Sequence, residues 1–220
     1  MPSPEYIYLR DRLQYLQTTL PPNALSVPEQ DQMKAVAIHQ HAACEQYIEQ
    51  RGLAVATAAY DKFKSSKKIG RVGKYLCVFP FIASINDDND ARKASAVHGA
   101  AKCGVLMPKA FIAANLAQIE DLMHIGYGRY KAMIGKNHGI SIKYQIKVLA
   151  SIGVDIGEFD PDFKSSISSL AEFRGEAAHK NLVVALTMPN PATLAAWTGH
   201  LIAGFGALDE ELKRLPKKPS

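Results

Sequence analysis

The sequence predicts an all-α protein, a multi-helix bundle with a less regular insertion at about residues 65–105. Two observations carry that reading. Apolar residues recur every three or four positions over long stretches on either side of the insertion. Capping residues, prolines and glycines stand where those stretches begin and end.

Glu5 to Leu20 reads as a first helix. Ile7, Leu9, Leu13 and Leu16 fall close to helical spacing, and Pro21-Pro22 end it. Ser26 and Glu29 match a capping box, with Pro28 tolerated in the first turn. From Pro28 to about Lys64 there is no further proline and only one glycine, Gly52. Met33, Val36, Ala37, Cys44, Tyr47 and Ile48 make one apolar stripe, and Val55, Ala56, Tyr60 and Phe63 resume it. This is one long helix, or two meeting near Gly52.

The insertion is harder to read. Gly70 and Gly73 mark a loop. Tyr75 to Ile85 is continuously apolar, so its period does not separate a buried strand from a buried helix. Asn86 to Asp90 is an acidic turn, and Ala91 to Ala101 fits a short helix. Pro108 then opens a helix to about His124, with Phe111, Ile112, Leu116, Ile119, Leu122 and Met123 on its apolar face. Gly126, Gly128, Gly135 and Gly139 break up the next stretch of chain. Ser141 to Ile152 is a further helix ending at Gly153, and Phe163 to Leu186 another, stopped by Pro189. Asn190-Pro191 cap and start the last. Its seam of Leu194, Trp197, Leu201, Phe205, Leu208 and Leu212 reads as core. Residues 216–220 read as a disordered basic tail. With no internal repeat or low-complexity linker, residues 1–220 are expected to form one helical domain.

Composition narrows the function classes. Apolar residues at 47% can build a real core. No apolar run reaches the ~18 residues a membrane span needs. Residues 1–10 hold no apolar signal region and carry Glu5, so no secretory signal and a cytoplasmic location are expected. Cys44, Cys77 and Cys103 are odd in number and widely spaced, which is neither a disulfide framework nor a zinc pattern. His39 and His41 lie on different helix faces, so chelation there is not expected. No metal and no cofactor are called for. The net charge of +5 is compatible with a polyanionic partner. Basic residues thicken at 62–74, at 93–109, and at Arg129, Lys131, Lys136, Lys143 and Lys147. Each cluster taken alone reads as a solvated face.

The chemistry concentrates in Ala171-Glu172-Phe173-Arg174-Gly175-Glu176-Ala177-Ala178-His179-Lys180-Asn181. Arg174 and His179 lie on one predicted helix and project about 140° apart. Long side chains at that angle can still converge on a groove. A guanidinium neutralises phosphate and stabilises charge growing in a transition state. An imidazole moves protons near neutral pH. Glu45 sits among Ala43, Cys44, Tyr47 and Ile48, so a half-buried carboxylate there needs a partner. Arg51 or a lysine would serve, and so would Arg174 or His179. Arg174 in turn could pair with Glu176 or Glu45.

Arginine, four residues, then histidine resembles the RNA-cleaving R-x(4–6)-H motif of the HEPN superfamily, as do Phe173 before it and Lys180-Asn181 after it. His39 to Ile48 is similar to an early helix of the RiboL-PSP-related HEPN proteins. Arg92 to His98 fits the bare spacing too and is the alternative pair. Arg174 and His179 are preferred because their helix is clearer and their place near the C-terminus is the family's usual one. The resemblance implies a HEPN-like bundle and a homodimer. It also implies metal-independent cleavage of RNA to 2′,3′-cyclic phosphate and 5′-hydroxyl ends. Arg174 and His179 would then be catalytic, Glu45 and Glu176 supporting, and Lys180 and Asn181 RNA-binding. Such proteins are often toxins or anti-phage effectors held by an inhibitory partner protein. In active members the residue after the arginine is often Asn, Asp or His. Here it is Gly175, which leaves a non-catalytic RNA- or nucleotide-binding or dimerisation module as the alternative.

Overall fold

The computed structural model describes residues 1–82, 114–137, 139–179 and 188–217, excepting the side chains of 80–82, 142, 143, 146, 178 and 179. The protein is all-α, with no strand among the described residues. Seven α-helices are described: α1 (Pro4–Thr18), α2 (Val27–Ser66), α3 (Arg71–Ile82), α4 (Leu116–Ile134), α5 (Ile142–Val148), α6 (Pro161–His179) and α7 (Pro191–Arg214). Single 3-10 turns lie at Ala150–Ile152, Ile156–Glu158 and Leu215–Lys217. The chain groups into two compact units. One comprises residues 1–47, 138–142 and 158–210, and the other 48–137, 143–157 and 211–220.

The first unit gathers α1, the N-terminal half of α2, α6 and most of α7. Ser3 caps α1, its hydroxyl accepting the Tyr6 amide at 3.1 Å, with Pro4 in the first turn. Leu9, Leu13 and Leu16 are buried, but Ile7 is exposed, so it is not part of the stripe the spacing assigned to it. The capping box at α2 forms as expected. Glu29 accepts from the Ser26 amide at 2.8 Å, and the Ser26 hydroxyl accepts from the Glu29 amide at 3.4 Å. Bonds donated to the Glu29 carboxylate by the Ser26 amide and then by its hydroxyl, each 2.8 Å, hold it below its ordinary pKa. At α6 the Asp160 carboxylate accepts from the amides of Asp162 and Phe163 at 2.9 and 3.0 Å. At α7 the Asn190 side chain accepts from Thr193 at 2.7 Å. The core of this unit runs through edge-on aromatic contacts, Tyr6 to Tyr47, Tyr47 to Phe205, and Phe205 to Phe163. A Cβ on Gly204 would overlap the Phe163 ring, so glycine is what lets that ring lie on α7. Along the α7 seam Leu194, Leu201, Phe205 and Leu208 are buried, whereas Trp197 is only half-buried.

In the second unit α2 continues unbroken past Gly52, which decides between the two readings of that segment. The glycine is there for space. A Cβ would come 2.7 Å from the Tyr130 hydroxyl and 3.0 Å from Val148. Tyr130 is fully buried, donates to the Val148 carbonyl at 2.9 Å and meets Phe79 edge-on at 5.8 Å. The ambiguous apolar run is helix α3 as far as Ile82, and residues 72–77 are all buried. Its main packing partner is α4. Gly126 and Gly128 lie inside α4, so they do not break the helix as expected. The reason at Gly126 is that a Cβ would overlap the Leu76 carbonyl oxygen of α3. The expected helix over 141–152 is α5 followed by a 3-10 turn, closed by Gly153 at φ 100°. A 3-10 turn spans Leu215–Lys217, with Leu215 buried. The acidic turn at 86–90, the short helix at 91–101 and the helix start at Pro108 lie outside the described residues, as do Leu182 and Leu186.

Candidate functional site

Arg174 is a half-buried residue of α6, one turn before the end of the described helix. It follows Phe173, which is buried and ties this turn into the first unit's core. His179 is the last residue of α6, and its side chain lies outside what the structure describes. Lys180, Asn181, Arg92 and His98 also lie outside the described residues. Glu176 is half-buried on α6.

The structure adds a residue that the motif search passes over. His41 on α2 is 4% exposed, with Nδ1 3.8 Å from the Glu45 carboxylate one turn along. Burial lowers the imidazole pKa to about 4, and the positive charge of Arg174 acts in the same direction. His41 is therefore neutral at pH 7, and its contact with Glu45 is not an ion pair at that pH. α2 and α6 thus bring a buried neutral imidazole, a carboxylate and a guanidinium into one neighbourhood, with Glu45 3.8 Å from the His41 ring and the Arg174 charge disfavouring its protonation. The sequence does carry a signal for His41. It lies four residues from Ala37, three from Cys44 and seven from Ile48, on the buried stripe itself. His39 is exposed, so the two histidines do occupy different faces.

Among the described residues Gly175 has open space beside it, since a Cβ there would meet none of their atoms within 4 Å. Packing does not require a glycine after the motif arginine. Elsewhere in the unit, Ser166 Oγ and His200 Nδ1 are 2.9 Å apart, with Ser166 2% exposed. That pair joins α6 to α7, between a buried serine and an exposed histidine. Cys44 and Cys77 are buried free thiols whose pKa values burial pushes up, Cys77 to about 12, so they are unreactive at neutral pH. Among the described residues no three His, Cys, Asp or Glu side chains are grouped to hold a metal ion.

No family model, curated protein or solved structure matches the chain. Among the described residues no helix is long and apolar enough to cross a membrane.

Proposed function

We propose that the protein is a metal-independent endoribonuclease of HEPN type, with Arg174 and His179 as its catalytic pair. The observation that carries the reading is Arg174, a half-buried residue of α6 whose charge reaches the buried His41 imidazole on α2. A cation already in place when a phosphate arrives stabilises growing charge without reorganising, which is how such a group lowers a barrier. In the reaction the ribose 2′-oxygen attacks the adjacent phosphorus as its proton passes to a base. The bond from phosphorus to the 5′-oxygen breaks, and that oxygen takes a proton from an acid. His179 serves as the acid or the base, and Arg174 stabilises the charge on the phosphoryl oxygens. Glu45 supports the arginine electrostatically. In a homodimer two such helices would supply the second proton-transfer group, and an inhibitory partner protein is the expected form of control.

The test is to incubate purified protein with total RNA and a chelator and to map fragment ends. Fragments with 2′,3′-cyclic phosphate and 5′-hydroxyl ends support the reading. Cleavage that vanishes in chelator and returns with magnesium overturns it. One observation favours a second reading, a non-catalytic RNA- or nucleotide-binding or dimerisation module: Gly175 supplies no side chain where active HEPN proteins often carry one. The open space there makes the question accessible, because the Cβ of Gly175→Asn would meet no described atom within 4 Å. Cleavage that appears only in that variant would decide for the second reading.

A further inference from the structure

We infer that the second unit carries a separate groove for a nucleoside phosphate, formed where the end of α4 meets α5. The groove has a cavity volume of about 350 Å3, within the ~300–1,000 Å3 of small-ligand clefts. Arg129 and Met133, one turn apart on α4, line one side together with Lys136, which follows the Gly135 C-cap. Tyr144 and Lys147 on α5 line the other. Among the described residues three cations thus border the groove, and no carboxylate lines it. Asn137 also lines it, and its side-chain amide is turned to the Glu49 carboxylate at 2.8 Å.

The last carbonyls of α4 do not draw in Lys136. Backbone amides of Gly135, Lys136 and Asn137 already bond to Lys131, Met133 and Ile134. Among the described residues no ion pair engages Lys136 or Lys147. Lys147 instead lies 5.5 Å from the centre of the Tyr144 ring. A half-buried ring with a cation beside it and a thioether opposite is a platform for a flat apolar group next to an anion. That combination is the stacking-plus-phosphate chemistry of single-stranded nucleic acid recognition. A purely acidic peptide would use the cations and leave the ring and Met133 idle.

The inference stands on the groove alone and does not require that the protein cut RNA. Its test uses a probe that 2′-hydroxyl chemistry cannot cleave, a fluorescent single-stranded oligodeoxythymidylate, with affinity read by anisotropy across a salt series. AMP, inorganic phosphate and poly-glutamate serve as competitors. We expect Tyr144→Ala to weaken binding roughly 5- to 100-fold, the range for losing one stacked base, while Tyr144→Phe retains it. Lys136→Glu and Lys147→Glu should each flatten the logarithmic salt dependence by about one, and Lys62→Glu, exposed on α2, should not. Competition by AMP would assign the groove to a single nucleotide. Competition by the oligonucleotide alone would assign it to a strand, and both support the shared chemistry. Three outcomes overturn it: no binding at low salt, poly-glutamate competing as well as the oligonucleotide, or indifference to Tyr144→Ala. Circular dichroism of each variant guards against a folding defect. If the oligonucleotide binds and RNA is not cut, the groove stands and the cleavage reading falls.

Discussion

Ser3 donates to Asp209 twice, from its amide at 2.9 Å and from its hydroxyl at 2.6 Å. Asp209 is 1% exposed and also accepts from the Tyr47 hydroxyl at 3.4 Å. A carboxylate so deeply buried persists only because donors surround it. The same serine caps α1 through Tyr6, so one residue starts a helix and ties it to α7. Removing the carboxylate strands buried donors, each costing about 1–3 kcal/mol. Asp209→Ala should therefore lower the unfolding free energy by about 3 kcal/mol in urea titrations. Ser3→Ala should lose ~1–2 kcal/mol, near the upper range for a cap. Their effects should be far from additive, because both break the same contact. Additive losses would mean that the serine and the aspartate act independently.

Two glycines make a matched pair with opposite expected signs. Gly126 lies under the Leu76 carbonyl of α3, so Gly126→Ala forces α3 and α4 apart. Overpacking of that kind costs about 1–3 kcal/mol, and a backbone obstacle places this case at the upper end. Gly175 is also mid-helix but has open space on its Cβ side. Gly175→Ala should stabilise by about 0.5–1 kcal/mol through helix propensity alone. Thermal melts of the two variants check both signs. Destabilisation by Gly175→Ala would show that something approaches that turn closely.

His41 makes the fold sensitive to acid. Unfolded, it titrates at its ordinary 6.5; folded, burial first and Arg174 second lower it to about 4. Between those values the unfolded chain binds a proton that the native protein refuses. The residue costs no stability above pH 6.5, and its cost grows as pH falls toward 4, reaching on the order of 3 kcal/mol. His41→Gln should remove this component of the acid loss. The difference in urea midpoint between variant and parent should therefore shift in the variant's favour from about pH 7.5 to about pH 5. A constant difference over that range would show that His41 protonates freely in the folded state.

Helix ends are the most legible part of the sequence. Ser26-Glu29 and Asn190-Pro191 do locally what their chemistry dictates, whatever surrounds them. The glycines are not legible in the same way, because a glycine's role depends on what approaches it. Gly126 stays helical because α3 presses on it, a fact about Leu76, far away in the chain. The α3 run cannot be typed from its period because it is buried on all sides from Val72 to Cys77, which erases periodicity. At the candidate site Arg174 and Glu45 stand out by their chemistry. His41, weighed only as a metal ligand, does not, although it lies on the buried stripe. What a buried polar residue does depends on its neighbour across the helix interface, and sequence spacing does not name that neighbour.

The motif residues give the decisive test of the proposed activity. His179→Ala should abolish RNA cleavage while the helical content of the protein is unchanged. A positioned acid or base contributes ~10²–10⁴-fold, and water at the same place does not replace it. Arg174→Ala should be comparably damaging, since developing charge on the phosphate would lose its fixed cation. Arg174→Lys should rescue only in part, because an ammonium lacks the planar fork that grips two oxygens. Removing Arg174 also takes away one of the two influences lowering the His41 pKa. Nuclear magnetic resonance of the His41 ring should then report an upward movement in Arg174→Ala and no movement in His179→Ala if its fold is intact. That second readout separates loss of a catalytic cation from a folding defect around His41, which would expose the ring and return it all the way toward 6.5. Arg92→Ala and His98→Ala should retain most cleavage. The reverse pattern, with inactive variants at 92 and 98 and normal cutting by the 174 and 179 variants, would move the active site to the alternative pair. A parent protein that cuts no RNA, paired with cleavage by Gly175→Asn, would show that the glycine is what disarmed the site.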